Sequence, residues 1–138
     1  MQFSKILSIF SLAAATSAIR VSYDEGYDRA GRSLTEVACS DGVNGLIWKY
    51  GWQTQGEVQG FPYIGGSDSI PEWNSPNCGS CWSATFNGKT IHIIALDRAA
   101  SGLNIGLNAF NDLTGGHGTD LGQVDAVVRR EELSVCGL

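Results

Sequence analysis

Basic residues are scarce in this chain. Nine lysines and arginines stand against fourteen acids, a formal net charge of −5 over 138 residues. Nucleic acid requires a basic patch to meet its phosphates, and the scattered acidic balance supplies none. The same deficit argues against anionic lipid and leaves a neutral polymer, such as a polysaccharide, as a compatible partner. There are two histidines. His92 alternates with apolar neighbours and His117 lies among glycines, so both read as structural or solvated. No His-x₃₋₅-His spacing completes a mixed zinc site, and no nucleophile–His–acid triad or phosphate loop is visible. No metal, cofactor or catalytic residue is expected. No Asn-x-Ser/Thr sequon occurs, because Asn74 is followed by Ser75-Pro76, so no N-glycan is expected. Repeats and low-complexity segments are absent.

The apolar stretches are short as well. The longest, Ile6 to Ala15, is too short for a bilayer span. Lys5 before it and Thr16-Ser17-Ala18 after it make a secretory leader cut after Ala18. The mature chain, residues 19–138, is then expected to be secreted, free of membrane insertion and one domain. A chain of this size buries about two thirds of its extended surface, so its core is modest and cross-links would help it.

What the chain does contain is glycine, 18 residues spread along it, and four cysteines. Two of the cysteines lie in Ser75-Pro76-Asn77-Cys78-Gly79-Ser80-Cys81-Trp82, with Cys39 upstream and Cys136 near the end. A four-cysteine zinc site would want a second close pair, and a thioredoxin-like centre a βαβ context. Structural disulfides are the better reading. Of the three pairings, Cys78–Cys81 closes a tiny loop and gains about 2 kcal/mol, whereas the long loops of roughly 40 and 55 residues gain about 4 each. Cys39–Cys78 with Cys81–Cys136, and Cys39–Cys81 with Cys78–Cys136, remain equal on this count.

The local patterns favour short strands. Ile19–Tyr23, Leu34–Cys39, Trp82–Phe86, Lys89–Leu96 and Gln123–Arg130 read as strands, and Gln55–Gly66 as loop with a brief strand. Asn87-Gly88 is the residue pair preferred in a type I′ hairpin turn. Leu46–Tyr50 reads as a short helix, Ala99–Leu103 as loop, and Asn104–Leu113 as helical by its apolar spacing, ending at Gly115-Gly116. The sum is mainly β with short helices, a small barrel with excursions.

Val21-Ser22-Tyr23-Asp24, Ala38-Cys39-Ser40-Asp41-Gly42, Gly60-Phe61-Pro62, Ile64-Gly65-Gly66, Trp73, the segment Ser75–Trp82, Asp97, Asn104, Phe110, Val124-Asp125 and Cys136 occur in an order that closely resembles the cerato-platanins, small secreted fungal proteins. The resemblance implies a six-stranded double-psi β-barrel, as in expansins and barwin, and the pairings Cys39–Cys78 and Cys81–Cys136. It implies a secreted or fungal cell-wall location, binding of chitin-type N-acetylglucosamine oligomers, expansin-like weakening of cellulose without proven hydrolysis, and eliciting of plant defence, with a plant receptor among its partners. A monomer is expected.

Asp97 leads the candidate site residues. Strict alternation would place it on one face with Ile91, Ile93 and Ala95, and the resemblance matches it to the expansin acid. A strand-end carboxylate also serves as a turn former; with water and sugar as its partners, Asp97 would be dispensable for stability. Asn104 donates and accepts at once, which suits a sugar hydroxyl or N-acetyl group, although it would equally serve as an N-cap. Ser101, in the loop between the two, joins them, as do Tyr23 and Asp24. Hydrolysis would need a second acid at about 5–5.5 or 6.5–9.5 Å; Asp120 and Asp125 are nominal partners only. Trp82 reads as core packing against a disulfide. The aromatics Tyr50 and Trp52 depart from the family pattern. Two alternative functions stand beside sugar binding: a surface-active, self-assembling or signalling protein, and a weak endoglucanase.

Overall fold

A computed structural model describes residues 17–138; the leader expected over residues 1–18 falls almost wholly outside the described residues. Six strands run Ile19–Tyr23 (β1), Ile64–Ser67 (β2), Cys81–Phe86 (β3), Lys89–Arg98 (β4), Leu103–Ile105 (β5) and Gln123–Glu131 (β6). They close into a barrel in the order β1-β5-β2-β4-β3-β6. The pairs β1/β5 and β2/β4 are parallel and the rest antiparallel. The six-stranded barrel expected from the resemblance is thus the observed fold.

Among the described residues, three α-helices accompany the strands: Leu46–Tyr50 (α1), Leu107–Thr114 (α2) and Gly118–Leu121 (α3). Helix α1 coincides with the sequence reading and ends on Gly51 at φ 73°. The β3–β4 hairpin turns on Asn87 and Gly88, both at positive φ, as a type I′ turn demands. Two local readings are corrected. Leu34–Cys39 is not a strand; it opens as a 3-10 turn over Leu34–Glu36, because the Ser33 hydroxyl accepts the Thr35 N–H and starts a turn there. Asn104 is not in a helix. It sits in β5, a strand of three residues too short to show a period, and α2 begins after Gly106. The start of α2 is capped from a distance: the Asp28 carboxylate accepts the Leu107 N–H at 2.9 Å and the Asn108 N–H at 3.2 Å, which places negative charge at the positive end of the helix dipole.

Alternate residues of the strands, Val21, Ala84, Ile91, Ile93, Leu103, Ile105, Val124 and Ala126, pack with Ala109, Phe110 and Leu113 of α2. A second cluster joins Leu34, Val37, Leu46, Val58 and Ile70 from the connecting segments to Ile64 and Ile94–Leu96. The disulfides Cys39–Cys78 and Cys81–Cys136 are the pair the resemblance implies. The first lies within the second cluster; the second ties the first residue of β3 to the carboxy-terminal turn.

Candidate functional site

The site is built on β2, whose sequence Ile-Gly-Gly-Ser is buried throughout. Gly66 pairs with Asn104 of β5 on one side and with Asp97 of β4 on the other, and Asn104 in turn pairs with Ser22 of β1. Ser22, Asn104, Gly66 and Asp97 therefore form one row across four strands. Adjacent strands lie about 4.8 Å apart, so the backbones of Asp97 and Asn104 are about 10 Å apart, with a residue between them that carries no side chain. The Ser22 hydroxyl donates to Asn104 Oδ1 at 3.0 Å, which directs the amide N–H donors to the other edge of the side chain. Sequence separations of 75 and more between Ser22 and Asp97 collapse into this strip.

Asp97 reaches the row by a route that strict alternation does not describe. The β2/β4 register shifts between Gly65 and Gly66: Gly65 faces Ala95, while Gly66 faces Asp97. Ile93, Ile94, Ala95 and Leu96 are consecutively buried, so the two-residue period stops before Asp97. The extra residue of a bulge re-aims the strand that carries it. The half-buried carboxylate accepts three hydrogen bonds from the protein, which leaves it room for a further donor. Its Oδ2 accepts the Tyr27 hydroxyl at 2.8 Å, and its Oδ1 accepts the Ala38 N–H at 3.0 Å and the Arg98 N–H at 2.9 Å. Asp97 is therefore a structural acceptor, and the expectation that it is dispensable for stability is corrected.

Three residues that the sequence reading passed over hold this arrangement. Tyr27 is buried to 4% exposure. Burial first, and then the charge of Asp97, push its phenol well above the ordinary 10.0. The Arg32 guanidinium lies 5.6 Å over the Tyr27 ring. Gln55, wholly buried, donates to the Gly26 and Arg29 carbonyls at 3.0 and 2.9 Å and so fastens the 3-10 turn Glu25–Asp28 that carries Tyr27. A glutamine in a polar run gives no sequence signal of burial. The raised phenol has a measurable consequence. Stability is full below pH 10.0, the ordinary tyrosine value, and falls as pH rises beyond it, because the unfolded chain loses the Tyr27 proton while the folded chain keeps it. Unfolding free energies from urea titrations between pH 9 and 11 should fall by up to about 1.4 kcal/mol per pH unit more steeply in the parent than in Tyr27→Phe; parallel slopes would contradict it.

The other expected site residues lie around the row. Asp24 is exposed and its Oδ1 accepts the Gly26 N–H at 2.8 Å, which starts the turn bearing Tyr27. Tyr23 packs its ring against Phe110 at 5.5 Å between centroids. Ser101 is exposed in the turn before Gly102, and that turn is pinned where the Gly102 N–H donates to Asp68 Oδ2 at 2.8 Å. The structure brings Asn104 and Asp97 into the row, sets Tyr23 and Asp24 at the end of β1, and leaves Ser101 on the loop above. Of the acids named as nominal partners, Asp125 lies opposite Arg20 in the β1/β6 register and Asp120 lies in the single turn of α3. The second acid whose charge reaches the Tyr27 phenol is Asp24. Among the described residues, no cluster of three or more His, Cys, Asp or Glu side chains is placed to hold a metal ion, and no helix is long and apolar enough to cross a membrane. Trp82 is half-buried between the two core clusters, its indole N–H donating to Ser80. His92 and His117 are both exposed.

The family model described as cerato-platanin matches residues 19–138. The chain belongs to the cerato-platanin family. Among relatives, it is 47% identical over 118 residues to allergen Asp f 15 of Aspergillus fumigatus, covering 86% of this chain and 76% of that one. It is 43% identical over 121 residues to cerato-platanin of Ceratocystis fimbriata f. sp. platani, covering 87% of each. Among solved structures, cerato-platanin 1 from M. perniciosa superposes with a TM-score of 0.82 at 44% identity, over 86% of this chain and 99% of that one. The solution structure of the fungal elicitor cerato-platanin gives 0.76 at 42% identity, over 85% and 95%. The row built on Gly66 is thus a feature of this cerato-platanin barrel, and Tyr27, Gln55 and Arg32 are the side chains that hold it.

Proposed function

We propose that this cerato-platanin is a secreted, non-hydrolytic, expansin-like carbohydrate-binding protein of the fungal cell wall. It binds chitin-type N-acetylglucosamine oligomers, weakens cellulose and elicits plant defence, acting as a monomer behind a leader of residues 1–18. The observation that carries the reading is the row Ser22–Asn104–Gly66–Asp97. It sets a carboxylate and an amide on strands about 10 Å apart, with the buried Gly66 between them covered by the Arg98–Ala99 segment, and both are groups that bond sugar hydroxyls. Acidic net charge suits a neutral polymer. Asp97 acts by accepting from sugar hydroxyls and competing with polymer–polymer contacts. Its three protein donors hold the carboxylate in place for that task.

A pull-down on chitin and cellulose, with oligomer titration and reducing-sugar release measured alongside, tests this. Binding without new reducing ends is expected. Time-dependent reducing ends that vanish in Asp97→Asn would favour a weak endoglucanase using Asp24 and Asp97 about Tyr27. Failure to bind any glycan would favour a surface-active, self-assembling or signalling protein, a reading supported by Trp48 and Trp73 at 70% and 57% exposure.

The Asp97 variants separate function from structure. Asp97→Ala orphans the buried Tyr27 hydroxyl and the Ala38 N–H, and should cost about 1–3 kcal/mol in urea unfolding while abolishing loosening of cellulose. Asp97→Asn keeps one acceptor oxygen and the side-chain shape, so it should retain more stability and still lose loosening activity. A stable Asn variant with full activity would remove Asp97 from the function.

A further inference from the structure

The concave parts of the surface described here lie away from the row. One cleft, about 320 Å³, is walled by Gln59, Tyr63 and Asp112; another, about 470 Å³, by Ser83, Thr85 and Arg129; Thr90 and His92 line both. The two adjoin at Thr90 and His92 and are taken together as a trough over the outer surface of β4, β3 and β6. Its floor follows two cross-strand rows, His92–Ser83–Arg129 and Thr90–Thr85–Val127. His92 is five residues before Asp97 on β4, or about 16 Å along the strand, so the trough and the Gly66 row are separate places. Each cleft is within the roughly 300–1,000 Å³ typical of small-ligand sites.

The chemistry of the lining narrows the occupant. A peptide strand cannot add at β3, the middle strand of the trough, because β4 and β6 pair with it on both sides over Cys81–Thr85. A polyanion finds no excess of positive charge: Lys89 stands 3.1 Å from Asp112, and Arg129 shares its wall with Glu131. What remains is a dense mixture of neutral donors and acceptors on a partly apolar floor. The Thr85 and Thr90 hydroxyls bond each other across the strands at 2.7 Å. The Tyr63 hydroxyl donates to Asp112 Oδ2 at 2.7 Å, which fixes the half-buried ring as a wall. That bond, and then Lys89, hold the Asp112 carboxyl below its ordinary range, so it remains an ionised acceptor. Ring faces with apolar C–H and edges with hydroxyls match such a lining.

We propose that this trough is a second binding site, for a neutral oligosaccharide of linked pyranose rings, with Tyr63 as the stacking wall and Asp112, Thr90 and His92 as the hydroxyl partners. It shares the ligand class of the function proposed above and none of its residues.

Isotope-labelled full chain titrated with β-1,4-linked hexasaccharides of N-acetylglucosamine and of glucose tests it. Amide shifts are expected at Ser83, Thr90, His92 and Arg129. Thr90→Arg, which fills the trough from an exposed position, and Asp112→Asn should each weaken those shifts by about tenfold in apparent Kd. Asp97→Asn should leave them unchanged. Shifts confined to Ser22, Gly66, Asp97 and Asn104, or trough shifts indifferent to both substitutions, would overturn the second site. So would an equal response to a sulfated oligosaccharide, which would show that neutral sugar chemistry is not what is read. Trough shifts without any at the Gly66 row would support the trough and sink the row; no shifts anywhere would sink both.

Discussion

Replacing all four cysteines by alanine should leave a chain that does not stay folded near 37 °C, the behaviour expected of a small disulfide-linked domain stripped of its bridges. The bridges close loops of 39 and 55 residues in sequence separation. Each loop of that length restrains the unfolded chain by about 4 kcal/mol in the loop-entropy model, and their sum is comparable with the whole stability of about 5–15 kcal/mol of a typical domain. The folded side loses too, because Cys39 and Cys81 are wholly buried and Cys78 nearly so. Single-bridge variants should divide the effect. Loss of Cys39–Cys78 should release the cluster of Leu34, Val37, Leu46 and Ile70, which rests on connecting segments with few strand hydrogen bonds. Loss of Cys81–Cys136 should free chiefly the last turn, Leu133–Cys136, from β3. Thermal scans with and without reductant check the pair. A fall in stability below about 1 kcal/mol on full reduction would mean that the core suffices without cross-links.

Gly102→Ala should be among the most damaging single substitutions in the barrel. The residue has φ +60°, and a Cβ there would meet the backbone carbonyl oxygen of Arg20 in β1 and lie 3.0 Å from Ile19 Cγ2. A backbone atom inside a parallel strand pair cannot swing aside as a side chain can, so relief requires β1 and β5 to part. The expected cost exceeds about 4 kcal/mol, the range reserved for core disruption, read as loss of soluble protein or a collapsed urea midpoint. Gly60→Ala is the control. It also has positive φ, +80°, but a Cβ there meets nothing within 4 Å. It should cost only the left-handed backbone penalty of about 1–2 kcal/mol. Equal losses at the two positions would show that backbone conformation, and not the close approach of β5 to β1, decides the matter.

Elements with strong local signals were legible in the chain. The hairpin about Asn87-Gly88, helix α1 and strands β1 and β6 lie where periodicity and turn chemistry put them, because a turn type or a run of alternating side chains is decided within a few residues. Strand β5 was not legible. Its three residues, Leu103–Ile105, carry too short a pattern to show a period of two, and they extend only because β1 and β2 flank them. The helical spacing that begins there belongs to α2, whose N-terminus is capped by Asp28, some eighty residues away in sequence.

The same division runs through the site. That Asp97 and Asn104 are polar groups at the margins of apolar segments follows from their neighbours in the chain, and membership of the cerato-platanin family follows from the ordered motifs. Which of two entropically equal disulfide pairings forms is not written in loop length; the barrel decides it by where it brings the four sulfurs. The register shift between Gly65 and Gly66 that sets Asp97 on the row is a property of two strands whose paired residues, Gly65 with Ala95 and Gly66 with Asp97, are far apart in sequence. Its fixation by Tyr27 and Ala38 spans 70 and 59 residues. Sequence by itself determined the short-range choices, where the competing energies are turn geometry and side-chain periodicity. Tertiary structure decided the burial of Gln55 and Tyr27, the pairing of cysteines and the aim of Asp97, because each depends on hydrogen bonds and contacts whose partners meet only when the barrel closes.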